Sequence, residues 1–175
     1  MVGGATNGSG DQGSSAFRFD LTSQTWEPRP ELVWMYGSHA TTLHGRAYVG
    51  DVDGSLQQYD PRTRHVRRIA APDSTARDHS QVVAFLDEIW VIAGRDPETL
   101  KVAIFDPVSE RWRAGPSIRA ARGGFAAATV GDRIVIGGGE VIYGGTYVER
   151  SVEVYSAGAV GWQVGPDLPV AVHGV

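Results

Sequence analysis

The residues best suited to chemistry crowd into Gly138–Arg150, GGEVIYGGTYVER, which sets two carboxylates, two phenols and a guanidinium among flexible glycines. Glu140 and Glu149 can accept hydrogen bonds or carry protons. Tyr143 and Tyr147 join an apolar ring to a polar tip, and Arg150 can hold a carboxylate through two parallel bonds. Such a loop suits a lid or a ligand-contacting segment. It suits equally a Glu140–Arg150 salt bridge with the tyrosines covering a strand edge. Other charged residues and histidines stand in short segments between apolar runs. Arg29, His39, Arg77, Asp78, His79, Arg119, Arg122 and His173 form one set, and Asp51, Asp53, Arg95, Asp96 and Glu98 another.

Several chemistries are excluded by what the chain lacks. With no cysteine among 175 residues there are no disulfides, thiolate metal ligands or thiol nucleophiles. A net charge of −4 gives no basic footprint for nucleic acid. The one basic run, Arg62-Thr63-Arg64-His65-Val66-Arg67-Arg68, reads as a solvated rim. Asp51-Val52-Asp53-Gly54-Ser55 places its glycine two positions early for a calcium loop and lacks the closing Glu, so it reads as an Asp-Gly turn. Gly137–Gly145 does not spell a phosphate-binding glycine motif. His39, His79 and His173 open apolar segments and read as groups that satisfy backbone around a channel. His44 and His65 read as solvated, and Asn7-Gly8-Ser9 is only formally a glycosylation site. No metal and no cofactor is expected. No apolar run approaches a membrane span of about 20 residues, and no leader stands at Met1, which leaves the compartment open.

The elements that must position these residues are repeats. Gly123–Gly139, GGFAAATVGDRIVIGGG, reads as two strands, Phe125–Val130 and Arg133–Ile136, joined at Gly131-Asp132. An aromatic followed by a polar residue recurs at Phe19-Asp20, Tyr59-Asp60, Phe105-Asp106 and Tyr155-Ser156. Seven residues after each aromatic stands Trp26, Val66, Trp112 or Trp162. The pairs Gly3-Gly4, Gly50-Asp51, Ala93-Gly94 and Gly137-Gly138 keep the same register. Each unit reads as four strands, a to d. In the third unit these are Ser80–Leu86, Ile89–Ala93, Val102–Phe105 and Arg111–Ala114; in the fourth the last two are Ser151–Tyr155 and Gly161–Val164. Asp60-Pro61 and Asp106-Pro107 mark c–d turns.

These markers resemble the kelch repeat: the diglycines, the aromatic–Asp pairs, Trp26, Trp112, Trp162, and Arg122 before strand a. The resemblance implies an all-β, kelch-type β-propeller of about four blade equivalents of four antiparallel strands, spanning 1–36, 37–78, 79–122 and 123–175 and forming an incomplete ring. It implies that the strand-c aromatic and strand-d Trp pack between blades. Remaining blades would come from a longer chain or a second copy, or Val170–Val175 would close a four-bladed ring onto the blade begun at Met1.

In an antiparallel blade the b–c loops and d–a links emerge at one end, and that end is the expected binding face. Arg77, His79, Arg95, Arg122, Tyr143, Tyr147 and Arg150 are the expected contacts for a protein or carbohydrate ligand. A closer resemblance, to bacterial sialic-acid mutarotases (N-acetylneuraminate epimerases), rests on Glu140 after the strand-b glycines and Arg150 before strand c. It implies an alternative in which Arg150 binds the sugar carboxylate and Glu140 shuttles protons. Here the two stand farther apart than in that family, and the reading leans away from an enzyme. Galactose oxidase is a related propeller, but its Tyr–Cys crosslink is ruled out. A third reading is a structural part of a larger ring with no site of its own.

Overall fold

A computed structural model describes residues 16–32, 39–143 and 145–174. The expected Gly3-Gly4 pair, Asn7-Gly8-Ser9 and Val175 lie outside them. The first unit contributes a hairpin, β1 (Phe17–Asp20) and β2 (Thr25–Pro28). Blade two is β3 (Ala40–Leu43), β4 (Arg46–Gly50), β5 (Leu56–Asp60) and β6 (His65–Ile69). Blade three is β7 (Gln81–Phe85), β8 (Glu88–Ile92), β9 (Val102–Asp106) and β10 (Arg111–Ala114). Blade four is β11 (Ala126–Val130), β12 (Arg133–Gly137), β15 (Val152–Ser156) and β16 (Gln163–Val164). Between its second and third strands lies a small extra hairpin, β13 (Glu140–Val141) with β14 (Tyr147–Val148). All pairings are antiparallel between consecutive strands of a blade. No helix among the described residues is long and apolar enough to cross a membrane.

Aromatic side chains join the blades. Tyr155 of blade four lies 5.0 Å from Trp90 and 6.1 Å from Phe85 of blade three, measured between ring centroids. With Trp162, Ile134 and Ile136 it closes one buried cluster over Val83, Ile92 and Ile104. Phe105 does the same one blade earlier, against Tyr48, Leu56 and Ile69 of blade two. The indoles add a directed bond each. Trp112 Nε1 donates to Ala70 O at 2.9 Å and Trp162 Nε1 to Pro116 O at 2.8 Å, both carbonyls on the link leaving the preceding blade. Where the second unit has Val66 in place of Trp, no such donor exists.

A second row of bonds runs along the inner strands. Ala84 N donates to Thr41 Oγ1 at 3.1 Å, and Thr129 Oγ1 donates to Ala84 O at 2.7 Å, tying three blades through one position of strand a. Blade three is therefore covered on both faces, which is why β8 is apolar at every position from Ile89 to Ile92. Among the described residues, blade four is covered on one face only. Ala126, Ala128 and Val130 are exposed among the described residues, whereas their counterparts Gln81, Val83 and Phe85 are buried against blade four.

The glycine register differs by one residue from the expected one. Ile92 and Gly137 hold equivalent places, opposite Gln81 and Ala126, so Ala93-Gly94 matches Gly138-Gly139 and not Gly137-Gly138. Gly94 (φ +116°) and Gly139 (φ +106°) need glycine on space as well as φ: a Cβ would stand 2.8 Å from Arg77 Cα and 2.9 Å from Gly123 O. The run of three glycines hid this in the sequence.

The c–d turns form as expected. Asp60 Oδ1 accepts from Arg62 N (2.9 Å) and Thr63 N (3.4 Å), and Asp106 from Val108 N (2.8 Å) and the Ser109 hydroxyl (2.6 Å); Asp20 repeats the pattern. These bonds favour the ionised carboxylate and hold all three groups below their ordinary value of 3.8.

Trp162→Phe keeps most of the packing and loses the bond to Pro116, so it should cost about 1 kcal/mol in urea unfolding. Trp26→Phe, at a half-exposed indole, should stay within about 0.5 kcal/mol. For the turns, the folded state holds its protons less tightly than the unfolded one. Their contribution is therefore complete above pH 3.8 and lost as pH falls through the lower folded values. Melting temperature followed from pH 5 to 2 should fall less steeply in the Asp20→Asn/Asp60→Asn/Asp106→Asn variant than in the parent.

Candidate functional site

The d–a links enter the face through a pair of buried arginines. Arg122 is fully buried, and its guanidinium donates to Gly138 O (2.9 Å), Ser151 O (3.0 Å), Ser151 Oγ (2.8 Å) and Glu153 Oε1 (2.8 Å). Arg77 takes the same place in blade three, with Nη1 on Lys101 O at 2.9 Å and Ala93 O at 3.3 Å. Each guanidinium therefore stitches the end of strand b to the start of strand c in its own blade. Both residues were expected among the ligand contacts. The structure instead buries both beneath the face, where each donates to carbonyls at the end of strand b and the start of strand c.

Above them runs a chain of charged side chains. Asp78 Oδ1 lies 2.7 Å from His79 Nδ1, and Asp78 Oδ2 accepts from Arg95 Nε at 3.0 Å. Arg95 Nη2 is 3.3 Å from His79 Nε2, and Arg95 Nη1 donates to Glu140 Oε1. Glu140 Oε2 lies 2.8 Å from His173 Nδ1. Main-chain pairing fixes the geometry: Arg95 N donates to Asp78 O at 2.7 Å, Glu140 N to Gly123 O at 2.8 Å, and Gly124 N to His79 O at 3.0 Å. Burial pulls the Arg95 pKa down, but the Asp78 bond and the charges of Asp78, Glu140 and Asp96 outweigh it and hold the pKa above its ordinary value. Arg95 is thus the hub of the face, with its fork already occupied.

The extra hairpin is tied to the same hub. Glu98 Oε1, on the b–c loop of blade three, accepts from Ile142 N at 2.5 Å and Tyr143 N at 3.2 Å. A bond to Asp96 raises the Tyr143 phenol pKa. Burial first and then the Glu149 charge raise that of Tyr147. Both tyrosines remain more than half exposed. Arg150 pairs with Asp167 at 3.5 Å. Glu140 and Arg150 therefore have separate partners, and no bond among the described residues joins them.

His39 behaves as expected: Nδ1 lies 2.8 Å from Ser80 O and Nε2 3.0 Å from Gln81 Nε2, whose amide continues to Phe125 O. His79 and His173 join the charged chain instead. Gly54 N closes the 51–55 turn onto Asp51 O at 2.9 Å, and Arg68 pairs with Asp51 and Asp53. Arg67 pairs with Glu110 at 2.6 Å. Sequence reasoning missed the roles of Glu153, Glu98 and Asp167. The one available signal was Glu153, a charged residue inside the otherwise apolar strand VEVY.

Comparison with known proteins agrees with this architecture. No family model matches the chain. The mouse Kelch-like protein 36 is 28% identical over 180 residues, covering 93% of this chain and 29% of the relative. Kelch-like protein terF of Aspergillus terreus is 31% identical over 179 residues, covering 89% and 39%. The solved structure of YjhT superposes with a TM-score of 0.77 at 14% identity, over 98% of this chain and 68% of that one. The chain is a kelch-type β-propeller. It spans between about one-sixth and two-fifths of the length of the curated relatives it matches, which are eukaryotic. The kelch blades supply the rigid frame, and the charged chain and the hairpin are what this sequence sets upon it.

Glu140→Gln removes the carboxylate charge that faces both Arg95 and His173 and should cost about 1–3 kcal/mol in urea unfolding. His173→Ala, at the half-exposed end of the chain, should cost less than about 1 kcal/mol.

Proposed function

We propose that this chain is a kelch-repeat binding module whose b–c/d–a face receives a protein ligand. The observation that carries the reading is the β13–β14 hairpin. It holds Tyr143 and Tyr147 half-exposed, yet Glu98 and Arg95 of the neighbouring blade brace its backbone and its root. Rigid tyrosines lose little entropy on binding, and Tyr and Arg dominate the energetics of protein interfaces. Arg150 stands at the rim of the same loop with its exposed pair to Asp167 easily exchanged for a ligand carboxylate. His79 and Arg95 contribute shape and charge from within the chain of ion pairs, while Arg77 and Arg122 support the face from below.

A carbohydrate ligand is the second reading, favoured by the same pairing of aromatic rings with carboxylates. The enzymatic alternative, a mutarotase using Glu140 and Arg150, would require Glu140 to leave Arg95 and His173 before it could carry a proton.

The test uses the immobilised chain against extract of its source cells, followed by affinity measurement on the captured protein. Tyr143→Ala/Tyr147→Ala should weaken binding by roughly 10–100-fold. His44→Ala/Arg62→Ala, at the opposite end of the blades, should leave it unchanged. The reverse pattern would place the interface elsewhere. Acceleration of N-acetylneuraminate anomer exchange that disappears in Glu140→Gln would replace the binding reading with the enzymatic one.

A further inference from the structure

The two buried link arginines are not neutralised alike. In blade four, Arg122 Nη2 donates to Ser151 Oγ and to the Glu153 carboxylate, which also accepts from Arg119 N at 2.7 Å and Ala120 N at 3.0 Å. Aligning β9 on β15 sets Lys101 opposite Ser151 and Ala103 opposite Glu153. Blade three therefore has neither the hydroxyl nor the carboxylate. Arg77 is 2% exposed. Its Nη1 points at the carbonyls of Val91, Ala93 and Lys101, its Nε is buried without a partner, and its Nη2 makes no hydrogen bond among the described residues. A guanidinium does not escape by losing its proton, so the charge stays.

Where the missing carboxylate would lie, there is open space. A cleft of about 420 Å³ is lined by Arg77, Ala103, Lys101, Val102, Trp112 and Asp73, among others. That volume falls within the range of about 300–1,000 Å³ typical of small-molecule sites. Asp73 does not fill the vacancy: one oxygen caps Thr75 N at 2.8 Å and the other faces Lys101 Nζ at 3.5 Å. Arg113, also on the wall, is held by Glu88 at 2.5 Å. Asp73 lies close enough for its charge to act on Arg77, but its bonds go to Thr75 and Lys101, so no carboxylate among the described residues bonds the Arg77 guanidinium, and one side of the cleft is apolar.

We propose that this cleft binds a small organic carboxylate, whose carboxylate takes the place Glu153 holds in the next blade and whose apolar body lies against Trp112 and Val102. The site is separate from the loop face and from the ligand proposed for it.

The test titrates the ¹⁵N-labelled chain with sodium propionate, against sodium chloride at matched ionic strength. The Arg77 Nε–H and Trp112 indole resonances should shift and saturate with propionate, and drift without saturating in chloride. Ala103→Glu installs the missing carboxylate: it should abolish the propionate response and melt above Ala103→Gln, which adds similar bulk without charge. Identical responses to the two salts would overturn the proposal. So would an Ala103→Glu chain that melts at or below Ala103→Gln, because its carboxylate would then not have met the guanidinium.

Discussion

The structure depends first on how one blade recognises the one before it. A single four-stranded sheet is apolar on both faces and cannot bury itself. Blades three and four each set a strand-c aromatic and a strand-d tryptophan on the blade before, with the indole oriented by a carbonyl of the connecting link, while blade two sets Tyr59 on Ala16 and Leu32 with Val66 in the tryptophan's place. Packing supplies the bulk of that contact and the N–H bond fixes its angle. Everything on the loop face inherits its spacing from this contact, because the d–a links run over the same junctions.

The second constraint is the buried arginine below the face. A guanidinium that reaches both the end of strand b and the start of strand c closes the mouth of the b–c loop from inside. It leaves the loop free to vary above a fixed base. In blade three the loop above that base contributes Arg95, Asp96 and Glu98. In blade four it grows into the β13–β14 hairpin, and the two loops lock together through Arg95–Glu140 and Glu98. One opposite-charge pair and two main-chain bonds to Glu98 join the two loops into one surface.

Much of the scaffold was legible in the sequence, because its markers repeat. The aromatic–Asp pairs and the tryptophans gave strands c and d within a residue or two, and Asp60 and Asp106 gave their turns. The diglycine register slipped by one residue because Gly137–Gly139 offers two equally good pairs. Arg77 and Arg122 read as ligand contacts from their place in the d–a links, since a sequence cannot show which way a long side chain turns. Their recurrence at one repeat position was a hint toward the scaffold, as residues that recur in register serve what the blades share. Glu140, Tyr143 and Tyr147 do not recur, and they are the ones the structure leaves half-open or in the charged chain. The Glu140–Arg150 pairing failed for a similar reason: Asp167 and Arg95, distant in sequence, are the nearer partners in space.

The loop face is a braced surface and not a set of mobile loops. Amide hydrogen exchange tests it most directly. The amides of Gly94, Arg95, Gly124 and Glu140 donate to main-chain carbonyls across the face and should exchange only with unfolding of the blades, while residues 145 and 146 at the hairpin tip exchange freely. Exchange of those four amides at the rate of the hairpin tip would contradict the account.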